Sequence, residues 1–377
     1  MNICYIIDFF IPYYQGGGER RLYEIAKRLV QKGHQIDIIC FKLKKAPLRE
    51  RIDGINVYHI GTTIKNPPYR SFLDFLLFIL HINIWLSRHK YDIIDAQPFA
   101  PLLPASLFYI SKKLKNVIAT IHDVSQNKEN QWIYYGNIAQ YLEKFLYKLP
   151  FEKIITVSEA IKRILIENYS LKKEKIQVIY NGVDLKLVDS ISDVPVCKNT
   201  IIYVGRLIPH KNVEDLIKAV YRLKSNFPNI KLKIIGDGPQ KDFLINLTRK
   251  LGLENHILFL GQLSRYEDVM QEIKSSEFLV LPSSREGFGM VLAEANACYK
   301  PVIAYKTGGV IDVIENNKNG FLIQERDIDA LTDKICFLLN NKDIAKEMGK
   351  YGRNKVERMF TWEMTVNNIE KFYESLL

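Results

Sequence analysis

A chain of 377 residues is too long for one ordinary hydrophobic core and suits two domains of about 150–200 residues each. With 47% hydrophobic and 25% charged residues it is globular, which excludes a disordered or low-complexity protein. The net charge of +11 is uneven, with 27 Lys and Arg against 19 Asp and Glu up to Pro195 and 26 against 23 beyond it.

In chain order, Asn2–Ile7 reads as a buried strand, and Asp8 follows too soon for the apolar core of a signal peptide. Leu22, Ile25, Ala26, Leu29 and Val30 recur at i, i+3, i+4, i+7 and i+8, one face of a helix. Gly33 is placed to end it, and Gln35–Cys40 starts the next strand. A strand is expected at Ile55–His59. The most apolar stretch, Phe72–Leu86, is interrupted by Asp74, His81 and Asn83 and is shorter than the ~20 residues of a bilayer span, so a core or interfacial helix is expected. Strands follow at Asp92–Asp95, Asn116–Ile121 and Lys153–Val157, and Ser190–Asn199 reads as a linker.

A second series opens with a strand at Thr200–Val204 and a helix through Leu216, Ile217, Val220 and Leu223. Strands at Lys231–Ile235, Ile257–Leu260, Phe278–Leu281, Val302–Ala304 and Phe321–Ile323 complete it. Short β-branched runs alternating with amphipathic helices signal parallel sheets built from βαβ units. The expected fold is therefore α/β, with two Rossmann-like, doubly wound parallel-sheet domains, residues 1–195 and 196–361. Neither first βα turn carries G-x-G-x-x-G, and no G-x-x-x-x-G-K-[ST] occurs, which removes the main support for a dehydrogenase or a P-loop enzyme. Ligands of open α/β sheets bind at the carboxyl ends of strands, so a cleft between facing domains is the expected site.

Glu286 to Glu294, E-G-F-G-M-V-L-A-E, is the most informative segment. A short strand, a glycine loop and a helix start make an anion site, because first-turn N–H groups lack intrahelical partners and the helix dipole adds positive potential. Carboxylates do not bind phosphate but bind neighbouring hydroxyls well. Glu286 before the helix and Glu294 along it therefore suit a ligand with hydroxyls, then a diphosphate, then hydroxyls again, as in a nucleotide sugar. The plain alternative is a helix-start acid and a solvated helix residue. Arg206 and Lys211, after the strand Thr200–Val204, can meet phosphate as a planar fork and a point charge. For two isolated basic residues, a surface salt bridge is the competing reading.

Eight segments in order resemble the retaining glycosyltransferases of family 4, which have the two-domain GT-B fold. They are Pro12…Gly16-Gly17-Gly18-Glu19-Arg20, Gly33-His34, His122-Asp123, Thr156-Val157-Ser158-Glu159, Asn181-Gly182-Val183-Asp184, Gly205-Arg206-Leu207…Lys211, Gly236-Asp237-Gly238-Pro239 and the Glu286/Glu294 cassette. The resemblance implies that Arg206 and Lys211 hold the donor diphosphate, that Glu286 binds hydroxyls of the transferred sugar and that Glu294 binds the ribose. Amides around Phe288, Gly289, Met290 and Val291 would receive phosphate oxygens. His122 would contact the donor sugar near the reacting carbon, and Gly16, Gly17 and Gly18 would let backbone approach donor and acceptor closely. Two departures stand out: Asn212 follows Lys211 where the family often has glycine, and a lone histidine such as His122 is commonly structural. Asn181 and Asp184 also read as turn and cap residues.

The implied activity is transfer of a sugar to a lipid-linked or glycan acceptor in cell-surface polysaccharide or glycolipid synthesis, with retention of anomeric configuration. Cations and amide dipoles would stabilise the leaving diphosphate without a metal or other cofactor. The only D-x-D, Asp327-Ile328-Asp329, opens an expected helix and reads as helix-start acids. The acceptor surface is expected within 41–140, and the segment 362–377 is expected to pack back on the N-terminal domain. Five scattered cysteines without CxxC spacing imply reduced thiols in a cytoplasmic setting. The basic first half suits an anionic membrane surface, such as the inner face of the plasma membrane, while ordinary surface lysine is the alternative. No nucleic-acid motif appears, so nucleic acid is not an expected partner. The rivals are a GT-B epimerase, a phosphorylase (for which no Schiff-base lysine can be located) and a non-catalytic carbohydrate-binding subunit.

Overall fold

The structure is a computed structural model that describes all residues except 15, 68, 113–115, 125–136 and 193, with only the backbone described for 137–140. The chain divides into two compact units, Met1–Asn181 with Trp362–Leu377, and Gly182–Thr361. Parts of the expected acceptor stretch 41–140 and of the expected linker 190–199 lie outside the described residues.

The first unit holds eight strands: β1 (Asn2–Ile6), β2 (Gln35–Leu43), β3 (Arg49–Ile52), β4 (Ile55–Ile64), β5 (Ile93–Ala96), β6 (Val117–Ile121), β7 (Ile154–Thr156) and β8 (Ile176–Val178). Their order is β3-β4-β2-β1-β5-β6-β7-β8. Every neighbouring pair is parallel except β3 and β4, a hairpin turned by Asp53 and Gly54, both at positive φ as such a tight turn demands. β1, β5, β6 and β7 are almost wholly buried, which explains their continuous apolar runs. Because β1 lies between β2 and β5, successive crossovers leave it in opposite directions, and a ligand position opens beyond its carboxyl end. The helix Trp362–Glu374 belongs to this unit and buries Trp362, Val366, Ile369 and Tyr373, with Glu370 paired to His34 at 2.7 Å.

The second unit has six parallel strands, β9 (Thr200–Val204), β10 (Lys231–Ile235), β11 (Ile257–Gly261), β12 (Phe278–Leu281), β13 (Val302–Tyr305) and β14 (Gly320–Ile323). Their order, β11-β10-β9-β12-β13-β14, puts the same kind of switch point between β9 and β12. The helix Val213–Leu223 buries Leu216, Ile217, Val220 and Leu223, the face expected from its spacing.

Most strands come out within two residues of their expected spans, but β2 and β4 run three and five residues beyond theirs. Two were not foreseen: β3, whose Arg49, Glu50 and Arg51 hide an edge strand, and β8, which is three residues long. The boundary expected at 195 falls instead between Asn181 and Gly182. Val183 bridges Thr361, and its backbone N–H donates to Phe360 O at 2.8 Å, so the chain joins the second unit well before its polar stretch. Among the described residues, no helix is long and apolar enough to cross a membrane.

Candidate functional site

In the second unit β9 runs into Gly205-Arg206-Leu207 and β12 into Pro282 to Glu286, two loops leaving the sheet from adjacent strands. A 3-10 turn at Pro209–Lys211 presents Lys211, whose Nζ donates to Glu286 Oε1 at 2.5 Å. The pair is largely buried, at 12% and 14% exposure. Asn212 comes next at φ +49°, in the left-handed region where glycine is favoured and asparagine tolerated. That accounts for asparagine standing where the resembled family often has glycine. Its Nδ2 donates to Pro282 O at 2.9 Å, and Ser284 N donates to His210 O at 2.8 Å, so the Lys211 turn is tied to the loop bearing Glu286.

The loop after β13 closes on the other side. Gly309 N donates to Glu286 O at 2.9 Å, and a Cβ on Gly308 would lie only 2.0 Å from that same oxygen, so the loops meet backbone to backbone. Gly289, at φ +83°, turns the chain into the helix Met290–Ala297, and no side chain caps that end. The first-turn amides of Met290 and Val291 are therefore placed to meet an anion. Phe288 is buried, edge-on to Phe360 at 5.3 Å, so only its backbone can serve a ligand. Glu294 is 5% exposed and accepts from Tyr266 Oη at 3.0 Å.

The electrostatics follow from this crowding. Burial, with the charges of Lys211, Arg285 and Arg206, pushes the His210 imidazole down to about 3. His210 is therefore neutral, and the positive charge around it belongs to the lysine and the two arginines. Burial, then the charge of Glu286, raises the Tyr203 phenol, whose Oη donates to Arg206 O at 3.0 Å. Cations, an uncapped helix start and two carboxylates thus stand within one unit, an arrangement able to hold a polyhydroxylated diphosphate. Asp327 caps its helix by accepting from Ala330 N at 2.9 Å, and Asp329 pairs with Arg222. No group of three His, Cys, Asp or Glu suited to a metal ion occurs among the described residues.

The remaining candidates lie in the first unit. Gly16 is the N-cap and Gly17 and Gly18 the first turn of the helix Gly17–Gln31, so the three glycines open a helix instead of forming a free loop. A Cβ on Gly18 would touch His122 Cδ2 at 3.6 Å, which makes these two candidates neighbours. His122 follows β6, and its Nε2 lies 2.7 Å from Gln97 Oε1. Burial, then the nearby Arg21 charge, holds its pKa well below the usual histidine value. Asn181 Oδ1 accepts from Arg21 Nε at 2.7 Å, while Asp184 caps a helix through Leu187 N at 3.0 Å. Sequence reasoning passed over Gln97, Arg21 and Tyr266. Arg21 adjoins the Gly-Gly-Gly-Glu-Arg run and could have been found there; a buried glutamine after a strand and a tyrosine on an amphipathic helix carry no comparable signal.

The two sheets, their switch points and the anion-ready helix start define a GT-B glycosyltransferase. Residues 15–187 match the model of Glycosyltransferase Family 4 and residues 189–355 that of Glycosyl transferases group 1, so between them they span nearly the whole chain. The chain belongs to the family 4 type of glycosyltransferases and is a transferase enzyme. N-acetyl-alpha-D-glucosaminyl L-malate synthase of Bacillus anthracis is 26% identical, over 94% of this chain and 92% of that protein. Sucrose-phosphate synthase (tll1590) of Thermosynechococcus elongatus superposes with a TM-score of 0.86 at 22% identity, covering 100% of this chain and 98% of that one. Anabaena Alr3699/HepE, solved in complex with UDP-glucose, superposes with a TM-score of 0.79 at 21% identity, covering 100% of both chains.

Proposed function

We propose that this glycosyltransferase is a retaining enzyme that moves a sugar from a nucleotide-diphosphate sugar to a lipid-linked or glycan acceptor in cell-surface polysaccharide or glycolipid synthesis. The observation that carries the reading is the buried Lys211–Glu286 contact beside Arg206 and the uncapped start of Met290–Ala297. In this reading the donor replaces that contact. Its diphosphate takes the ammonium, the Arg206 guanidinium and the amides of residues 288–291, and the freed Glu286 carboxylate accepts from sugar hydroxyls. Glu294, oriented by Tyr266, accepts from the ribose. Cleavage of the glycosyl–phosphate bond builds positive charge on the sugar and negative charge on the diphosphate, and fixed cations and dipoles stabilise the latter. The leaving phosphate takes the acceptor's proton as the acceptor oxygen attacks from the same face, which gives retention. His122 contacts the transferred sugar in this reading. Uridine diphosphate sugars are the first donors to test, because a chain of the same fold is described in complex with UDP-glucose.

The test is calorimetry with nucleoside diphosphates and nucleotide sugars, followed by a transfer assay on Lys211→Ala and Glu286→Ala. Each substitution is expected to lower kcat about 10²–10³-fold, the scale for removal of one charge-stabilising group. Wild-type transfer by either folded variant overturns the roles, and free epimer formed without acceptor would make the enzyme an epimerase.

Membrane association belongs to the same proposal, with the enzyme peripheral on the cytoplasmic face. Its support is the helix Phe72–Arg88, on which Phe72, Leu73, Leu76, Leu80 and Ile84 are exposed, in a unit whose sequence is strongly basic.

A further inference from the structure

A buried polar cluster of the first unit adjoins His122 and has no part yet in the proposed function. Asp95 in β5 and Gln97 just beyond it are 2% and 1% exposed. Two residues apart on an extended chain, they point to the same side. Asp95 Oδ1 accepts from Gln97 Nε2 at 3.0 Å and from Thr120 Oγ1 at 2.8 Å, and its Oδ2 accepts from Tyr373 Oη at 2.7 Å. Gln97 is also held through its backbone N–H, which donates to Ile6 O at 2.8 Å.

The directions of these hydrogen bonds are forced. Both Asp95 oxygens accept from hydroxyls, of Thr120 and of Tyr373, as a carboxylate does, and a carboxylate can only accept. The Gln97 amide nitrogen must therefore face Asp95, which turns Oε1 toward His122. An amide oxygen also only accepts, so the proton of the imidazole must sit on Nε2. Burial and the Arg21 charge keep the ring neutral, and Nδ1 is left as a lone pair. Among the described residues Nδ1 makes no hydrogen bond.

We propose that Asp95 and Gln97 are positioning residues that lock His122 as the Nε2–H tautomer, so that Nδ1 is an acceptor for a substrate hydroxyl. The role of His122 rests on the proposed function; the tautomer does not. A neutral polyhydroxy sugar satisfies Nδ1, whereas a sugar bearing a carboxylate at that position sets lone pair against lone pair and is rejected. The device works as outer-shell partners of metal-bound histidines do, by fixing which nitrogen is available.

The experiment is 15N NMR of the full chain labelled at histidine, with His122→Gln identifying the His122 signals by difference. At pH 7 a pyrrole-type Nε2 and a pyridine-type Nδ1 are expected. Gln97→Leu should mix the tautomers and lower kcat/KM about 10–100-fold. The swapped pair Asp95→Asn with Gln97→Glu reverses the bond between the two but still sets an acceptor oxygen against Nε2, and should restore the spectrum. A pyridine-type Nε2 in the wild type overturns the proposal, and so does a wild-type His122 spectrum in Gln97→Leu. If Gln97→Leu does not fold, the wild-type spectrum decides alone. Separately, wild-type transfer by His122→Ala would sink the role of His122 in the proposed function while leaving the tautomer to the spectrum.

Discussion

Asn212 shows how a single residue meets two demands at the proposed donor site. Its backbone is left-handed, and its side chain ties the Lys211 turn to Pro282 O. Asn212→Gly keeps the backbone at ease and loses the tie, whereas Asn212→Ala loses the tie and adds left-handed strain of about 1–2 kcal/mol. Urea denaturation should show Ala to be less stable than Gly by about that amount, and equal midpoints would show that the strain is absent. His210 makes a second test. It stays neutral when folded down to about 3, but titrates near 6.5 when unfolded. The unfolded chain thus binds the extra proton, and the contribution, complete above about 6.5, is lost as pH falls toward 3. The slope is at most about 1.4 kcal/mol per pH unit for one histidine. Asp95, raised to about 6, works the other way between about 4 and 6, favouring the folded state as it protonates. The comparison must therefore be a difference: His210→Gln should lose less stability than wild type between pH 6.5 and 4, and parallel curves would refute the assignment.

At the scale of elements, the second unit was the more legible. Thr200–Val204, Lys231–Ile235 and Phe278–Leu281 emerge with their expected bounds because each is cut off by Gly or Pro; the first and third are also almost wholly buried, while Lys231–Ile235 alternates lysine with buried aliphatic residues. The glycine loop and helix start after β12 were also readable, since strand, glycine and helix-former follow directly in sequence. What could not be read were contacts between loops distant in sequence: the Lys211–Glu286 pair spans 75 residues, and the Gly308–Gly309 loop packed on Glu286 has no local signature. The linker at 190–199 was misread because polar composition reports solvation, not which unit a segment packs in. The helix Phe72–Arg88 poses the opposite case, an apolar stretch whose sequence does not say which face is covered. Phe78, Ile82 and Leu86 are buried while Leu76 and Leu80 are exposed. Leu76→Glu with Leu80→Glu should abolish sedimentation with anionic vesicles and shift stability by no more than about 1 kcal/mol, on the scale of surface changes. Undiminished vesicle binding would remove this helix from the membrane proposal.

Across the whole molecule, the second unit is an insertion within the first, because the chain returns at Trp362. Trp362, Val366, Ile369 and Tyr373 are at most 1% exposed, and each contributes roughly 1.5–3 kcal/mol by burial. Together these rival the 5–15 kcal/mol net stability of an ordinary domain. Removal of residues 362–377 should therefore unfold the first unit and spare the second, so that limited proteolysis leaves a fragment near 182–361. Survival of an intact 1–181 fragment would show that the terminal helix is dispensable. All eight strands of the first sheet are made by Val178, but the helix that completes their unit waits until the ribosome has translated everything between. A chain cut short within 182–361 lacks Trp362, Val366, Ile369 and Tyr373, so the apolar surface they cover is left open to chaperones and proteases.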